Sequence, residues 1–180
     1  MNHFITLKDL PKSEIINLIH RSIELKKNGH TFQNAFRGRT LTMLFSKPST
    51  RTRVSAETGW NSYGGSCLFL GKNDGQWGKE SLRDTATVIS SMADAILVRC
   101  GAHSEIEEIC KYSAVPVINA LSDLYHPLQM LADLVTLQET YNTLDGVSVA
   151  WIGDSNNILN SWLVTAPRLG IRMSVATPEG

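Results

Sequence analysis

The run Ser46-Lys47-Pro48-Ser49-Thr50-Arg51-Thr52-Arg53 concentrates hydroxyl and guanidinium groups where the chain leaves one element and enters another. Residues 40–45 before it favour a strand and residues 50–62 after it favour a helix, so the run begins as a strand-to-helix turn. The first turn of a helix leaves backbone N–H groups unpaired and carries the positive end of the helix dipole, and both favour an anion. Ser49, Thr50 and Thr52 add short neutral donors, while Arg51 and Arg53 add planar forks that match a phosphoryl group. A lone Ser-Thr-Arg is more often an N-cap followed by solvated arginines. The five-residue run from Ser49 to Arg53, directly after a strand, favours phosphate binding. A second constellation is His126-Pro127-Leu128-Gln129. Proline suits the first helical position, which puts His126 at the N-cap, beside the positive end of a helix. That field disfavours an imidazolium, so a neutral ring able to donate one hydrogen bond to a carbonyl is expected. A single His-Pro, by itself, is more often just a helix start.

The elements that must position these groups alternate along the chain. Residues 13–28 carry Ile15, Ile16, Ile19 and Ile23 at near-helical spacing, closed by Gly29. Short β-favouring runs follow at 40–45, 67–70, 95–98 and 116–119, separated by helix-like stretches at 50–62, 80–92 and 104–113. The third stretch opens with a capping-box pattern, Ser104 with Glu107. Such alternation predicts an α/β fold, a parallel sheet with helices on both faces, whose ligands bind beyond the carboxyl ends of the strands. A helix is expected over 127–141, then a turn-rich break at 142–146. Beyond it come a strand at 147–152, a helix at 157–169 and a strand at 172–176, the first βαβ unit of a second α/β domain. The expected division is therefore 1–142 and 143–180. Pro167 falls inside the last helix, where a proline removes a hydrogen bond, so a kink or an early end is expected.

Composition narrows the class of protein. Lys and Arg balance Asp and Glu at 17 each among 180 residues, so the chain shows no basic footprint for nucleic acid. It has no apolar run long enough to cross a membrane and no signal-peptide pattern at its start, and a cytoplasmic location is expected. Cys67, Cys100 and Cys110 are an odd number without close-paired ligand spacing and are read as buried free thiols.

Ser49-Thr50-Arg51-Thr52-Arg53 resembles the carbamoyl-phosphate signature of the aspartate and ornithine carbamoyltransferases. His126-Pro127-Leu128-Gln129, followed by Leu131-Ala132-Asp133, is similar to that family's His-Pro-x-Gln-x-Leu-x-Asp segment. Arg99 ends a strand where the family places another phosphate-binding arginine. Gly153-Asp154-Ser155-Asn156-Asn157 resembles the Gly-Asp-x-Asn-Asn segment of ornithine enzymes and disfavours an aspartate-type transferase. Asn157, at a helix start, would offer its amide to the charged backbone groups of ornithine; the bland alternative is a turn-forming asparagine. Gln76-Trp77-Gly78-Lys79-Glu80-Ser81 resembles the family loop whose glutamine reaches the carbamoyl phosphate of a neighbouring subunit, which would make the assembly a homotrimer. A plain exposed loop is the alternative.

The resemblance implies transfer of a carbamoyl group from carbamoyl phosphate to the δ-amine of ornithine, giving citrulline and phosphate in arginine biosynthesis. It assigns Ser49, Thr50, Arg51, Thr52 and Arg99 to phosphate. Arg51, Thr52, Arg99 and His126 surround the carbonyl oxygen, where charge develops, and Gln129 takes the carbamoyl nitrogen. No metal or organic cofactor is called for. The later family segments that hold ornithine lie beyond Gly180, so the sequence is read as a fragment, a truncated product or a decaying copy with impaired or absent activity. A non-catalytic carbamoyl-phosphate-binding module is the reading from another class.

Overall fold

Strand β1 (Thr40–Phe45) is the middle of the architecture because its sequence has no face to give to water. Leu41, Met43, Leu44 and Phe45 are all buried, as a parallel strand covered on both sides requires. In this computed structural model, which describes residues 3–74 and 77–179, β1 is flanked by β2 (Ser66–Gly71) and β3 (Ala95–Arg99). β4 (Val117–Leu121) lies beyond β3, so the sheet order is β2-β1-β3-β4, with every pairing parallel. The N-terminal segment adds an isolated parallel bridge, Phe4 to Ile118, outside β4.

Three helices carry the crossovers: α2 (Thr50–Ser62), α3 (Leu82–Ser90) and α4 (His103–Tyr112). From β1 the chain moves to one side to reach β2, then returns past β1 to reach β3 on the other. Right-handed crossovers therefore put α2 on one face and α3 and α4 together on the other. Between β3 and these two helices lies a core that includes Ala86, Ile96, Val98, Ile106, Ile109 and Val117. The reversal makes the gap between the carboxyl ends of β1 and β3 a topological switch point, where open α/β sheets hold ligands.

The chain divides into two compact units, residues 1–5 with 28–123, and residues 6–27 with 124–180. The break expected after 142 does not coincide with this division. Helix α1 (Lys12–Asn28) falls almost wholly with α5 (Pro127–Tyr141) and α6 (Asn157–Leu169). Within that unit Lys26 Nζ pairs with Glu139 Oε2 at 2.7 Å, and Arg168 Nη1 donates to the Leu10 carbonyl at 3.3 Å. β5 (Ser148–Ile152) and β6 (Arg172–Ala176) form a two-stranded parallel sheet around α6. Among the described residues no helix is long and apolar enough to cross a membrane.

Three local expectations are corrected. The Ser104 and Glu107 pattern does not cap α4: the helix begins one residue earlier, at His103, and its N-cap residue is Ala102, which makes no side-chain cap. Helix α3 is shorter than 80–92 because Ser81 caps it, accepting the Asp84 N–H at 3.1 Å. Finally, α6 continues past Pro167 to Leu169. The N–H that Pro167 lacks would have bonded the Leu163 carbonyl, and both residues lie on the exposed face, where solvent can take its place. Gly170, at φ 77°, then closes the helix in the left-handed conformation.

Candidate functional site

Both sides of the switch point carry charge. β1 ends at Phe45 in register with Arg99 of β3, and the Ser46 N–H donates to the Arg99 carbonyl at 2.9 Å. The turn after β1 is thereby tied to the end of β3. Ser49 is the N-cap of α2: its hydroxyl accepts the Thr52 N–H at 3.3 Å and lies 2.8 Å from Thr52 Oγ1. A cavity of about 270 Å³ opens there, lined by Pro48, Ser49, Thr50, Arg51 and Arg99.

Among the described residues that line the cavity none is acidic. Arg99 is half-buried, and burial together with the neighbouring Arg51 charge holds its guanidinium below the ordinary arginine value. Its Nε is buried and has no hydrogen-bond partner among the described residues. Two converging guanidinium groups with an orphaned buried donor at a helix N-terminus are costly unless an anion occupies the space. The arrangement can neutralise a dianion and place donors around an oxygen that gains charge.

Arg53 does not join them. Its guanidinium lies over the Phe69 ring at 3.9 Å from the centroid, with Nε 3.7 Å from Glu57, so the second arginine of the run braces α2 against β2. Thr52 is engaged with Ser49 and does not line the cavity. Gln76 lies outside the described residues.

His126, Gln129 and Asn157 belong to the other unit. His126 is the N-cap of α5 with Pro127 at the helix start, as its sequence predicts. Its backbone N–H donates to Ser161 Oγ at 2.9 Å, and that hydroxyl donates to the Asn157 carbonyl at 2.7 Å, so His126 and the start of α6 share one chain of bonds. Nothing in the sequence marked Ser161 for this role. Gln129 is exposed, and its amide donates to Asp133 Oδ1 at 2.9 Å. The capping asparagine of α6 is Asn156, which accepts the N–H groups of Ile158 and Leu159; Asn157, half-buried, is the first helical residue.

Comparison with known proteins gives these sites a context. Residues 2–139 match the family model described as aspartate/ornithine carbamoyltransferase, carbamoyl-P binding domain. The whole chain aligns at 46% identity with the ornithine carbamoyltransferase of Psychrobacter cryohalolentis and at 45% with that of Campylobacter fetus, spanning 60% and 59% of their lengths. Among solved structures it is similar to a mitochondrial ornithine carbamoyltransferase from Coccidioides immitis, with a TM-score of 0.94 and 42% identity. That match covers 99% of this chain and 60% of the other. The anabolic ornithine carbamoyltransferase of Campylobacter jejuni gives 0.91 and 46%, over 99% and 59%. With a family match over most of its length and a shared fold, the chain belongs to the aspartate/ornithine carbamoyltransferase family.

Proposed function

We propose that this chain holds carbamoyl phosphate for transfer of its carbamoyl group to the δ-amine of ornithine, yielding citrulline and phosphate. The observation that carries this reading is the convergence of Arg51 and Arg99 on the cavity at the start of α2. In the proposed arrangement Ser49, Thr50, Arg51 and Arg99, which line the cavity, bind the phosphoryl group together with Thr52, the next residue of α2 after Arg51. Arg51, Thr52, Arg99 and His126 stabilise the carbonyl oxygen as the amine attacks, and Gln129 fixes the carbamoyl nitrogen. No protein nucleophile is needed, because preorganised donors meet the charge that the tetrahedral species develops before phosphate leaves. Asn157 is assigned to ornithine. Gln76 is assigned to a neighbouring subunit's carbamoyl phosphate within a homotrimer, and the setting is arginine biosynthesis in the cytoplasm.

Calorimetry with carbamoyl phosphate tests the binding half of the proposal. Saturable binding that Arg51→Ala weakens is the expected result, and no binding by the wild-type chain would overturn it. The division of labour at 142 is part of the proposal too, with residues before it serving carbamoyl phosphate and those after it serving ornithine. For residues 1–180 taken alone, one observation favours binding without turnover. The sheet beside α6 has only the strands β5 and β6 among the described residues, and Ile152 on it is 86% exposed. A citrulline assay on that polypeptide is expected to find no measurable product, and robust ornithine-dependent turnover would refute this restriction.

A further inference from the structure

The last residue of β3 is placed by a device outside the cavity. Between β3 and β4 the pairing shifts, from Val98 opposite Asn119 to Arg99 opposite Leu121, so one extra residue of β4 is inserted beside Arg99. Past this bulge the two loops are joined bond by bond. Cys100 N–H donates to the Leu121 carbonyl at 3.1 Å and Asp123 N–H to the Gly101 carbonyl at 2.7 Å. The His103 N–H donates to Asp123 Oδ1 at 2.8 Å, and His103 Nδ1 lies 2.8 Å from Ser122 Oγ.

The His103–Ser122 part of this joint is buried, His103 at 7% exposure and Ser122 at 0%, while Asp123 is exposed. Burial makes it costly to leave either group without its partner. It also answers a need of α4, whose own N-cap residue, Ala102, has no side chain to offer. The Asp123 carboxylate supplies the cap from the segment after the neighbouring strand β4 and sits at the positive end of the helix dipole. Burial lowers the His103 ring from its ordinary 6.5, opposed by the charges of Glu107 and Asp123.

We infer that His103, Ser122 and Asp123 are positioning residues that clamp the β3–α4 loop to the segment after β4 and so fix Arg99 for anion binding. This rests on the phosphate-binding reading of the cavity. Arg51 stands exposed on the first turn of α2 and can adjust to a ligand. Arg99 has less freedom: its carbonyl is held by Ser46 on one side, and the clamp begins with the next residue on the other. A shift of the clamp therefore moves the guanidinium.

The test is calorimetry of the full chain with inorganic phosphate. Ser122→Ala and His103→Phe, which keeps a ring but loses Nδ1, are expected to weaken phosphate about five- to tenfold. Ser122→Thr and His103→Asn, which retain a hydrogen-bonding atom, are expected to recover most of the loss. In an Arg99→Ala background Ser122→Ala should have no further effect, because the clamp acts through that arginine. Ile109→Val, a core change in the same unit, should lower the melting temperature without altering phosphate affinity. Wild-type affinity in Ser122→Ala and His103→Phe, with Arg99→Ala still impaired, would overturn the clamp and leave the cavity assignment standing. An undiminished effect of Ser122→Ala in the Arg99→Ala background would also overturn it. No phosphate binding by the wild type would overturn both.

Discussion

Arg51 and Arg53 share a residue type and a helix and differ only by two positions, yet they face different work. Arg51 lines the cavity, while Arg53 stacks on Phe69 and meets Glu57. Arg51→Ala is expected to weaken carbamoyl phosphate at least tenfold, since a charge-assisted contact contributes about 1.5–3 kcal/mol, and to leave folding nearly intact. Arg53→Ala should do the reverse: affinity nearly unchanged and stability lower by about 0.5–1 kcal/mol, as expected for an exposed cation–π contact. Calorimetry and thermal unfolding of the two variants side by side check both. The helix start at Ser49 to Arg53 was legible in the sequence because a cap and a first turn are built from neighbours in the chain. The split between the two arginines was not, because Phe69 lies on another strand. Arg99 was reached only through resemblance, since nothing local to it signals an anion. The joint of His103 with Ser122 and Asp123 was invisible for the same reason; the only cap pattern in view at α4, Ser104 with Glu107, pointed to the wrong partner.

At the scale of elements, two features separate local propensity from context. Asp94 fastens the starts of β1 and β3: its carboxylate meets Arg39 Nη1 at 2.5 Å and accepts the Thr40 N–H at 2.8 Å. The Arg39 hydrogen bond, then the Thr40 N–H, hold its carboxyl below the ordinary 3.8. A lowered carboxyl pKa means that the stabilisation is fully present above about pH 4 and is lost as pH falls through the folded-state value. Asp94→Asn should therefore lower the melting temperature at neutral pH, with the gap closing in acid; a gap that is constant down to pH 2 would refute the assignment. Pro167 is the second feature. A proline in a helix interior costs about 3 kcal/mol, but here it sits in the last turn, opposite an exposed Leu163. Pro167→Ala is expected to stabilise the chain by about 1 kcal/mol or less, measured by denaturant unfolding. The helix limits at 50–62, 127–141 and 157–169 were readable because caps and turn residues frame them; Asn142, in the left-handed conformation at φ 58°, ends α5 as a turn-former should.

For the molecule as a whole, alternation of short strands and helices was enough to predict a parallel sheet, whereas the order β2-β1-β3-β4 came only from the structure. Periodicity tells which face of an element is buried, not which neighbour buries it, so α1 could not be assigned to its unit from sequence. That assignment has a consequence for synthesis. Residues 28–123 complete the first unit, apart from the five residues at the start, as soon as β4 and its loop have emerged. Helix α1, made before them, belongs with residues 124–180, and Lys26 must wait for Glu139, 113 positions later. At about 5–20 residues per second, the ribosome leaves α1 without its partners for on the order of ten seconds. During that interval Ile15 and Ile19, fully buried in the finished fold, have no partner helix from their own unit. A nascent chain tethered through an arrest peptide should accordingly generate one pulling-force peak as the four-stranded sheet closes and a second, later one as α5 and α6 capture α1. A helix made before the four-stranded sheet is thus placed after it, and the window between the two peaks is when chaperones have the most to hold.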